Sequence, residues 1–334
     1  MNSRQTKSKI SEFSLIKKYF APLAGEGSFN LEDDAAQITP SEGMSFVITQ
    51  DAIAEGIHFF SDDPPELIAK KALRVNISDL TAKGAFPKYI SLALGLGSTW
   101  DEAWVAGFAQ GLEEELEYYG VELTGGDTFR TGGGFIISIT AIGEVPKGNY
   151  ISRLGAKDGD VIYVTGTIGD AALGLLARQG RLNNLSKENS NFLIDQYLLP
   201  NPLDGLQKLF WEFATASMDI SDGLVGDMEK LCKASGVGAE LQIESIPLST
   251  VAQSAILLEP KLLETALTGG DDYQTLFTVV EERQPEFHNL IKNFEGKITR
   301  IGTIKSGQSV KVFDTSGQVV EFKKTAYDHS GENF

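Results

Sequence analysis

Strand-like and helix-like segments alternate along this chain, and one polar stretch near the middle interrupts the alternation. Short apolar runs such as 44–49 and 134–145 predict strands, and helical patterns separate them. Residues 145–160 are polar and rich in turn formers, and strand-like runs resume after them. Because a chain of 334 residues commonly forms two domains, we expect an α+β protein divided into residues 1–150 and 151–334.

Aspartates follow the strand-like runs, where binding sites are commonly built. The three runs with their aspartates are 44–49 with Asp51, 121–124 with Asp127, and 215–220 with Asp219 and Asp222. A further aspartate, Asp79, lies in a helical pattern at 64–84, on a face away from the apolar stripe. We therefore expect these carboxylates to form a site and not a solvated acidic surface.

The charge pattern indicates a bound cation. The chain has 46 Asp and Glu against 29 Lys and Arg, a formal net charge of −17, which would repel a nucleic-acid backbone. Residues 218–227 contain three aspartates, and neither Lys nor Arg occurs between Lys208 and Lys230. Oxygen ligands dispersed over several segments suit Mg²⁺, which takes one or two carboxylates and completes its shell with water and phosphate. We predict that metal carried in with a nucleotide neutralises these aspartates.

The segment Leu-Thr-Gly-Gly-Asp occurs twice, at 123–127 and at 267–271. Paired glycines let backbone amides approach a phosphate, and the adjacent carboxylate can hold a cation. The P-loop motif and the dinucleotide-binding fingerprint are both absent. No aspartate cluster has the spacing of an EF-hand loop, and three histidines with one cysteine are too few for the usual structural zinc sites.

The sequence has no signal for a membrane or for secretion. No apolar run approaches the length of a membrane span, and no apolar segment follows the charged N-terminus. We therefore expect a cytoplasmic protein. Its single cysteine, Cys232, cannot form an internal disulfide, and its helical spacing with Leu224 and Met228 predicts a buried thiol.

Eight short motifs resemble those of thiamine-monophosphate kinases in their order and spacing. They are EDDAA (32–36), TQDAIAEGIHF (49–59), NISDLTAKGAFP (76–87), GGDT (125–128), SRLGAKDGD (152–160), MDISDGL (218–224), GGDDYQ (269–274) and YDH (327–329). Each motif alone is unspecific, but the ordered set extends over nearly the whole chain. The resemblance implies ATP-dependent phosphorylation of thiamine monophosphate to thiamine diphosphate. Because the acceptor phosphate is already ionised near neutral pH, we expect direct in-line transfer without a covalent nucleophile.

The resemblance also implies the fold of aminoimidazole ribonucleotide synthetase and a set of site residues. Each subunit would have an N-terminal domain that binds ATP and Mg²⁺ and whose sheet pairs across a homodimer, and an α/β sandwich that completes the nucleotide and substrate site. The ligands of several Mg²⁺ ions would be Asp34, Thr49, Asp51, Asp79, Asp127, Asp219 and Asp222. The ATP contacts would be Gly126, Asp127, Arg153 and Ser221, and the substrate contacts would be His58, Asp271 and Tyr327.

Four positions depart from the family pattern: Glu32, Gln50, Asp271 and Ser330. The first two bear on metal coordination and the last two on the fit of the substrate ring. Two alternatives stay open, namely another ATP-using enzyme of the same superfamily, such as a selenophosphate synthetase, and a non-catalytic acidic protein that binds divalent ions. Two residues also have a structural interpretation, Arg153 as a surface arginine and His58 as a structural histidine.

Overall fold

The computed structural model describes residues 10–292 and 298–327, and the chain divides into two compact units. The first unit contains the residues up to Asn76 together with Pro87–Glu144, and the second contains Ile77–Phe86 and the residues from Val145 onward. The division falls within the helix Pro65–Ala82. Within the described residues, no helix combines the length and the apolar character needed to cross a bilayer.

A four-stranded sheet forms the base of the first unit. Its strands are β1 (Met44–Ala54), β2 (Phe86–Leu96), β3 (Glu122–Arg130) and β4 (Ile136–Pro146), in the order β1-β4-β2-β3. The helices of this part of the chain are α1 (Glu12–Leu15), α2 (Pro65–Ala82) and α3 (Glu102–Tyr119). Strands β2 and β3 are parallel, so they need a long crossover, which α3 supplies. The Asp101 carboxylate caps the start of α3, and Gly120, with a left-handed φ of 63°, ends it.

A six-stranded sheet forms the base of the second unit. Its strands are β5 (Val161–Thr165), β6 (Ala214–Ile220), β7 (Gly238–Gln242), β8 (Gln274–Val279), β9 (Ile298–Lys305) and β10 (Val310–Phe313), in the order β10-β7-β9-β5-β8-β6. Its helices are α4 (Asp170–Arg178), α5 (Lys187–Leu198), α6 (Gln207–Phe213), α7 (Leu224–Ser235), α8 (Thr250–Leu258), α9 (Leu262–Thr268) and α10 (Gln284–Ile291).

Strand β5 shows that this sheet is covered on both faces. Ile162 and Val164 belong to one buried cluster, which includes side chains of α7, and Val161 and Tyr163 belong to another, which includes side chains of α6 and α10. Because successive side chains of a strand point to opposite faces, the two clusters lie on opposite sides of the sheet. The expectation of an α/β sandwich in the second domain is confirmed.

The structure differs from the sequence prediction at the ends of two strands. Asp51 lies within β1, and Asp127 lies within β3, whereas we expected both to follow a strand. The third expectation is confirmed, because β6 contains Asp219 and ends at Ile220, two residues before Asp222.

Strand pairing explains why the first Gly-Gly-Asp segment, at 125–127, is extended. Gly126 and Asp127 of β3 lie opposite Leu92 and Ala93 of β2, so the neighbouring strand satisfies backbone groups that a turn would leave unpaired. A Cβ atom at Gly126 would collide with the carbonyl oxygen of Leu92. Glycine is therefore required here for close strand approach and not for a turn.

Candidate active site

A cavity of about 140 Å³ in the first unit is lined by carboxylates. Its walls include Asp33, Asp34, Gly125, Gly126 and Asp127. No Lys, Arg or His is among the described residues that line it. Clustered carboxylates without a protein cation form a strongly negative site, which favours a bound positive ion. The structure thus brings together three of the sequence-predicted residues, namely Asp34, Gly126 and Asp127.

The backbone of β3 forms one wall of this cavity. Gly126 has a φ of 158° and packs against β2, whereas a Cβ atom at Gly125 would meet no atom within 4 Å. The hydroxyl of Thr124 donates to the carbonyl oxygen of Ile90 at 2.8 Å, next to an irregularity in the β2–β3 register. The backbone at Gly125 is therefore open to a bound group, while the residues on either side hold the strand in place.

A strained segment precedes the two aspartates Asp33 and Asp34 of the cavity. Residues 29–31 all have positive φ angles, of 52°, 57° and 58°. Each such conformation costs about 1–3 kcal/mol in a residue other than glycine, and such strain is concentrated at functional sites. The exposed Glu32 ends this segment, and the backbone N–H of Asp34 then donates to Asp33 at 2.7 Å. Leu31, Asp33 and Asp34 all line the cavity, so this strained segment leads directly into its wall.

Strand β1 carries two predicted metal ligands, Thr49 and Asp51, and between them Gln50, which departs from the family pattern. Thr49 and Asp51 are half-buried, and the exposed Gln50 between them points to the other face of the sheet, where its amide donates to Ser138 at 3.0 Å. The backbone N–H of Asp51 donates to the side chain of Asn76 at 3.0 Å. Gln50 therefore lies on the face opposite the two predicted metal ligands.

His58 lies in the turn that follows β1. Its ring is half-buried, and its Nδ1 atom accepts a hydrogen bond from the backbone N–H of Ala54 at 3.1 Å. This contact gives His58 a structural role, and its contact with the substrate stays a prediction.

In the second unit, Lys83 lies among the predicted ligands and Arg153. Its ammonium donates to the carbonyl oxygen of Ser217 at 2.5 Å. The pKa of Lys83 is lowered to about 8, mainly by loss of contact with water and also by the positive charge of Arg153, while Asp219 and Asp79 act in the opposite direction. The structure thus gathers Asp79, Arg153 and Asp219 around a lysine whose role the sequence did not reveal.

Ser78 links this group to the strand ends. Its hydroxyl oxygen lies 3.1 Å from Oδ2 of Asp219 and 3.2 Å from the carbonyl oxygen of Tyr273. The backbone N–H of Tyr273 in turn donates to Ile220 at 2.8 Å. These bonds fix the carboxylate of Asp219 against the loop that carries the second Gly-Gly-Asp segment.

Lys230 supplies part of the positive charge that we assigned to metal. Asp227 is fully buried, and one of its oxygens accepts the backbone N–H groups of Ser221 and Asp222 at 3.0 and 2.9 Å. Lys230 forms ion pairs with Asp222 and with Asp227, the latter at 2.7 Å. Burial raises the pKa of Asp227, and Lys230 opposes that rise. The spacing of three residues between Asp227 and Lys230 on a helix was the available sequence signal.

The second Gly-Gly-Asp segment brings the remaining predicted residues together. Asp271 has a positive φ of 65°, and its backbone N–H donates to the carbonyl oxygen of Ser221 at 2.8 Å. The backbone N–H of Tyr327 donates to the carbonyl oxygen of Asp222 at 2.9 Å. Ser221, Asp222, Asp271 and Tyr327 therefore belong to one set of interlocked loops.

Asp272 anchors these loops, and the sequence interpretation missed it. Its side chain is buried, and its two oxygens accept the backbone N–H of Gly169, at the start of α4, at 2.9 and 3.0 Å. Burial raises the pKa of Asp272 well above its usual value, and these backbone bonds oppose the rise. The only signal in the sequence was a second acid beside Asp271, because its partner lies about a hundred residues away in the chain.

The predicted metal ligands divide between the units. Asp34, Thr49, Asp51 and Asp127 belong to the first, and Asp79, Asp219 and Asp222 belong to the second. In the part of the chain that the structure describes, no group of three or more His, Cys, Asp or Glu side chains could hold a metal ion by itself. These donors still suit Mg²⁺, which needs one or two carboxylates when water and phosphate complete its shell. Ser330 and the last two residues of the YDH motif lie outside the described residues.

The chain matches two family models, one for each part of its length. Residues 32–145 match the N-terminal domain of AIR synthase related proteins, and residues 157–315 match the C-terminal domain. The chain is also 36% identical to the thiamine-monophosphate kinase of Salmonella typhimurium over 321 residues, which cover 95% of this chain and 98% of that protein. The similarity therefore includes both domains.

Two solved structures show the same similarity in three dimensions. Thiamine-monophosphate kinase from Stenotrophomonas maltophilia K279a superposes with a TM-score of 0.78 and 35% identity, covering 87% of this chain and 91% of that one. AaThiL complexed with AMPPCP and TMP superposes with a TM-score of 0.74 and 33% identity, covering 95% and 97% of the two chains. The two-domain fold expected from the sequence is confirmed.

Proposed function

The chain belongs to the thiamine-monophosphate kinase family, and on that premise we propose that it transfers a phosphoryl group from ATP to thiamine monophosphate. It is a thiamine-phosphate kinase, and the product would be thiamine diphosphate. The observation that carries the proposal is the similarity to thiamine-monophosphate kinases along nearly the full length of both chains. The carboxylate-lined cavity with its open glycine backbone supports it independently.

Magnesium ions are proposed to accompany the nucleotide. Both substrates are anions, and the lining of the cavity adds three aspartates and no cation among the described residues. The residues that would hold Mg²⁺, directly or through water, are Asp34, Thr49, Asp51 and Asp127 in the first unit and Asp79, Asp219 and Asp222 in the second. Bound Mg²⁺ would neutralise the charge on the phosphoryl group during its transfer.

The remaining predicted residues are proposed to position the substrates. The backbone at Gly125 and Gly126 would approach the phosphates of ATP, because no side chain covers it, and Ser221 and the exposed Arg153 would add further donors. His58, Asp271 and Tyr327 would contact thiamine monophosphate. An acid and an aromatic face suit the cationic thiazolium ring of this substrate.

Transfer is proposed to be direct, without a phosphoenzyme. The acceptor oxygen belongs to a phosphate monoester that is already ionised near neutral pH, so it needs no strong general base. The single cysteine is not a suitable nucleophile, because burial raises the pKa of Cys232 to about 12. What the protein must supply is therefore position and charge neutralisation.

A homodimer in the cytoplasm is the proposed working state. Ile48 and Ile136, on the neighbouring strands β1 and β4, are 65% and 41% exposed. Exposed large apolar side chains on one sheet are typical of a subunit interface. Sedimentation equilibrium tests the dimer: a mass twice that of the chain supports it, and a monomer at every concentration contradicts it.

Thermal stabilisation by ligands separates this function from its alternatives. We expect AMPPCP with Mg²⁺ to raise the melting temperature, and thiamine monophosphate to raise it further, because each binds the folded state. Stabilisation by the nucleotide but not by thiamine monophosphate would favour another ATP-using enzyme of the superfamily. Stabilisation by Mg²⁺ alone, with no further response to nucleotide, would favour a non-catalytic ion-binding protein.

A further inference from the structure

Residues 322–327, the C-terminal segment, are attached to two helices of the second unit. The hydroxyl of Thr325 donates to the carboxylate of Glu229, on α7, at 2.8 Å. The backbone N–H of Lys323 donates to the carboxylate of Glu264, on α9, at 2.7 Å. Side chains that lie far away in the sequence therefore hold this segment in place.

Gly226 is a point of close approach between the C-terminal segment and α7. It is a buried helical residue that follows the MDISDGL motif (218–224). A Cβ atom at Gly226 would lie 2.4 Å from the Cβ atom of Ala326 and 2.9 Å from the carbonyl oxygen of Thr325. Glycine is unfavourable inside a helix compared with alanine, so α7 itself does not require it. The close approach of the C-terminal segment does.

The C-terminal segment leads to the predicted site. The backbone N–H of Tyr327 donates to the carbonyl oxygen of Asp222 at 2.9 Å, and Lys230 of α7 forms an ion pair with the carboxylate of Asp222. Tyr327 directly follows Ala326, so a displacement of Ala326 also moves Tyr327. A side chain at Gly226 would displace Ala326 by about 1 Å, because the contact of 2.4 Å must lengthen to an ordinary 3.4 Å. A misplacement of this size is enough to impair a binding site.

We propose that Gly226 is a positioning residue, which admits the C-terminal segment against α7 and thereby sets Tyr327 beside Asp222 for contact with thiamine monophosphate. The assignment of this contact rests on the proposed function. The hydrogen bond from Thr325 to Glu229 holds the same segment one turn further along α7. Gly226 acts through the C-terminal segment and contacts neither substrate.

Hydrogen–deuterium exchange tests the attachment of the C-terminal segment without any substrate. The backbone N–H groups of Lys323 and Tyr327 are hydrogen-bonded only when the segment is attached, and mass spectrometry of peptic fragments follows their exchange. We expect exchange in the fragment that contains them to be about tenfold faster in Gly226→Ala. The fragments of α7 should show no acceleration, because alanine is the better helix former. Equal exchange of the C-terminal segment in Gly226→Ala and in the unsubstituted protein would overturn the proposal.

A second variant keeps the proposal falsifiable if Gly226→Ala does not fold. Thr325→Val removes the hydroxyl that bonds Glu229 and preserves the shape of the side chain. We expect about threefold faster exchange at Tyr327, as for the loss of one exposed hydrogen bond. Thr315→Val, at an exposed position in the turn after β10, is the matched control and should leave this exchange unchanged. The same exchange in both threonine variants would refute the attachment.

Substrate dependence distinguishes positioning from general stability. In Gly226→Ala the KM for thiamine monophosphate should rise about tenfold, while the KM for ATP changes less than about twofold. Faster exchange of the C-terminal segment with an unchanged KM for thiamine monophosphate would contradict the positioning role, and so would an equal rise in both KM values. If the unsubstituted protein makes no thiamine diphosphate, the proposed function fails, whereas the exchange experiment decides the role of Gly226 in attachment by itself.

Discussion

Lys83 Nζ lies 2.5 Å from the backbone carbonyl oxygen of Ser217, which places an ammonium beside the aspartates of the second unit. Loss of contact with water is the main cause that lowers the pKa of Lys83 from 10.5 to about 8, and the charge of Arg153 adds to it. Asp219 and Asp79 favour the charged form but do not cancel these effects. Folding therefore disfavours the protonated lysine in the metal-free protein.

This relationship predicts a dependence of stability on pH. Between about 8 and 10.5 the unfolded chain binds more protons at Lys83 than the folded protein does, so the contribution of Lys83 to the free energy of unfolding rises with pH. Lys83→Met should remove that rise, and Lys233→Met, on the exposed side of α7, should not. Urea unfolding of the metal-free proteins across this window measures the difference, and equal slopes in Lys83→Met and the unsubstituted protein would contradict the prediction.

The two glycines of the first Gly-Gly-Asp segment should respond differently to alanine. Gly126→Ala should destabilise the protein by about 2–4 kcal/mol, because the new Cβ collides with the Leu92 carbonyl oxygen and disrupts β2–β3 pairing. Gly125→Ala should change the free energy of unfolding by less than about 1 kcal/mol, because its Cβ enters open space. Urea unfolding checks both values.

Gly125→Ala should nevertheless weaken nucleotide binding, because the methyl group covers backbone that we assign to the phosphates of ATP. Calorimetric titration with AMPPCP and Mg²⁺ measures the effect, which we expect to be about tenfold in Kd. Unchanged affinity in a folded Gly125→Ala variant would remove this backbone from the proposed ATP site.

Asp127→Asn should abolish most of the activity without affecting the fold. The side chain is exposed and lies on the wall of the cavity, so its carboxylate is placed for a cation and not for packing. We expect kcat/KM to fall about 10²–10³-fold and the melting temperature to stay within the range of surface substitutions. Asp195→Asn, an exposed position on α5, is the control and should retain full turnover. An Asp127→Asn variant with wild-type kcat/KM would exclude this residue from the mechanism.

Lys230→Met should destabilise the second unit by about 1–2 kcal/mol, because Asp227 is fully buried and loses its ion-pair partner. This value allows for the 41% exposure of the Lys230 side chain. Without Lys230, burial raises the pKa of Asp227 further. The loss of stability in Lys230→Met should therefore shrink as the pH falls and Asp227 becomes protonated.

Unfolding by urea at about pH 7 and at about pH 4 tests the Lys230 prediction, with Lys233→Met as the matched control on the same helix. Lys233 is exposed and its substitution should have little effect at either pH. If Lys230→Met lowers the free energy of unfolding equally at both pH values, Asp227 does not depend on this ion pair.

Much of the fold could be predicted from hydrophobic periodicity and turn chemistry, but the ends of β1 and β3 could not. Two adjacent glycines are typical of a turn, yet the segment at Gly125 and Gly126 is extended because it pairs with β2. Pairing depends on residues far away in the chain, and propensity within a short window does not contain that information.

The predicted site residues came from motifs, and the residues that motifs did not reveal act through long-range contacts. Asp272 bonds Gly169, and Thr325 bonds Glu229. Neither partner can be inferred from the spacing of residues in the sequence. Lys230 is the exception, because its separation of three residues from Asp227 on a predicted helix is a signal for an ion pair, which we did not use when we assigned the neutralising charge to metal.

Chromatographic analysis of the reaction products tests the central claim most directly. The purified protein is incubated with ATP, Mg²⁺ and thiamine monophosphate, and three parallel mixtures omit one of these components each. We predict that thiamine diphosphate and ADP form in equal amounts in the complete mixture, and that no thiamine diphosphate forms in the other three. A complete mixture that yields no thiamine diphosphate, although AMPPCP and Mg²⁺ stabilise the protein, would contradict the account.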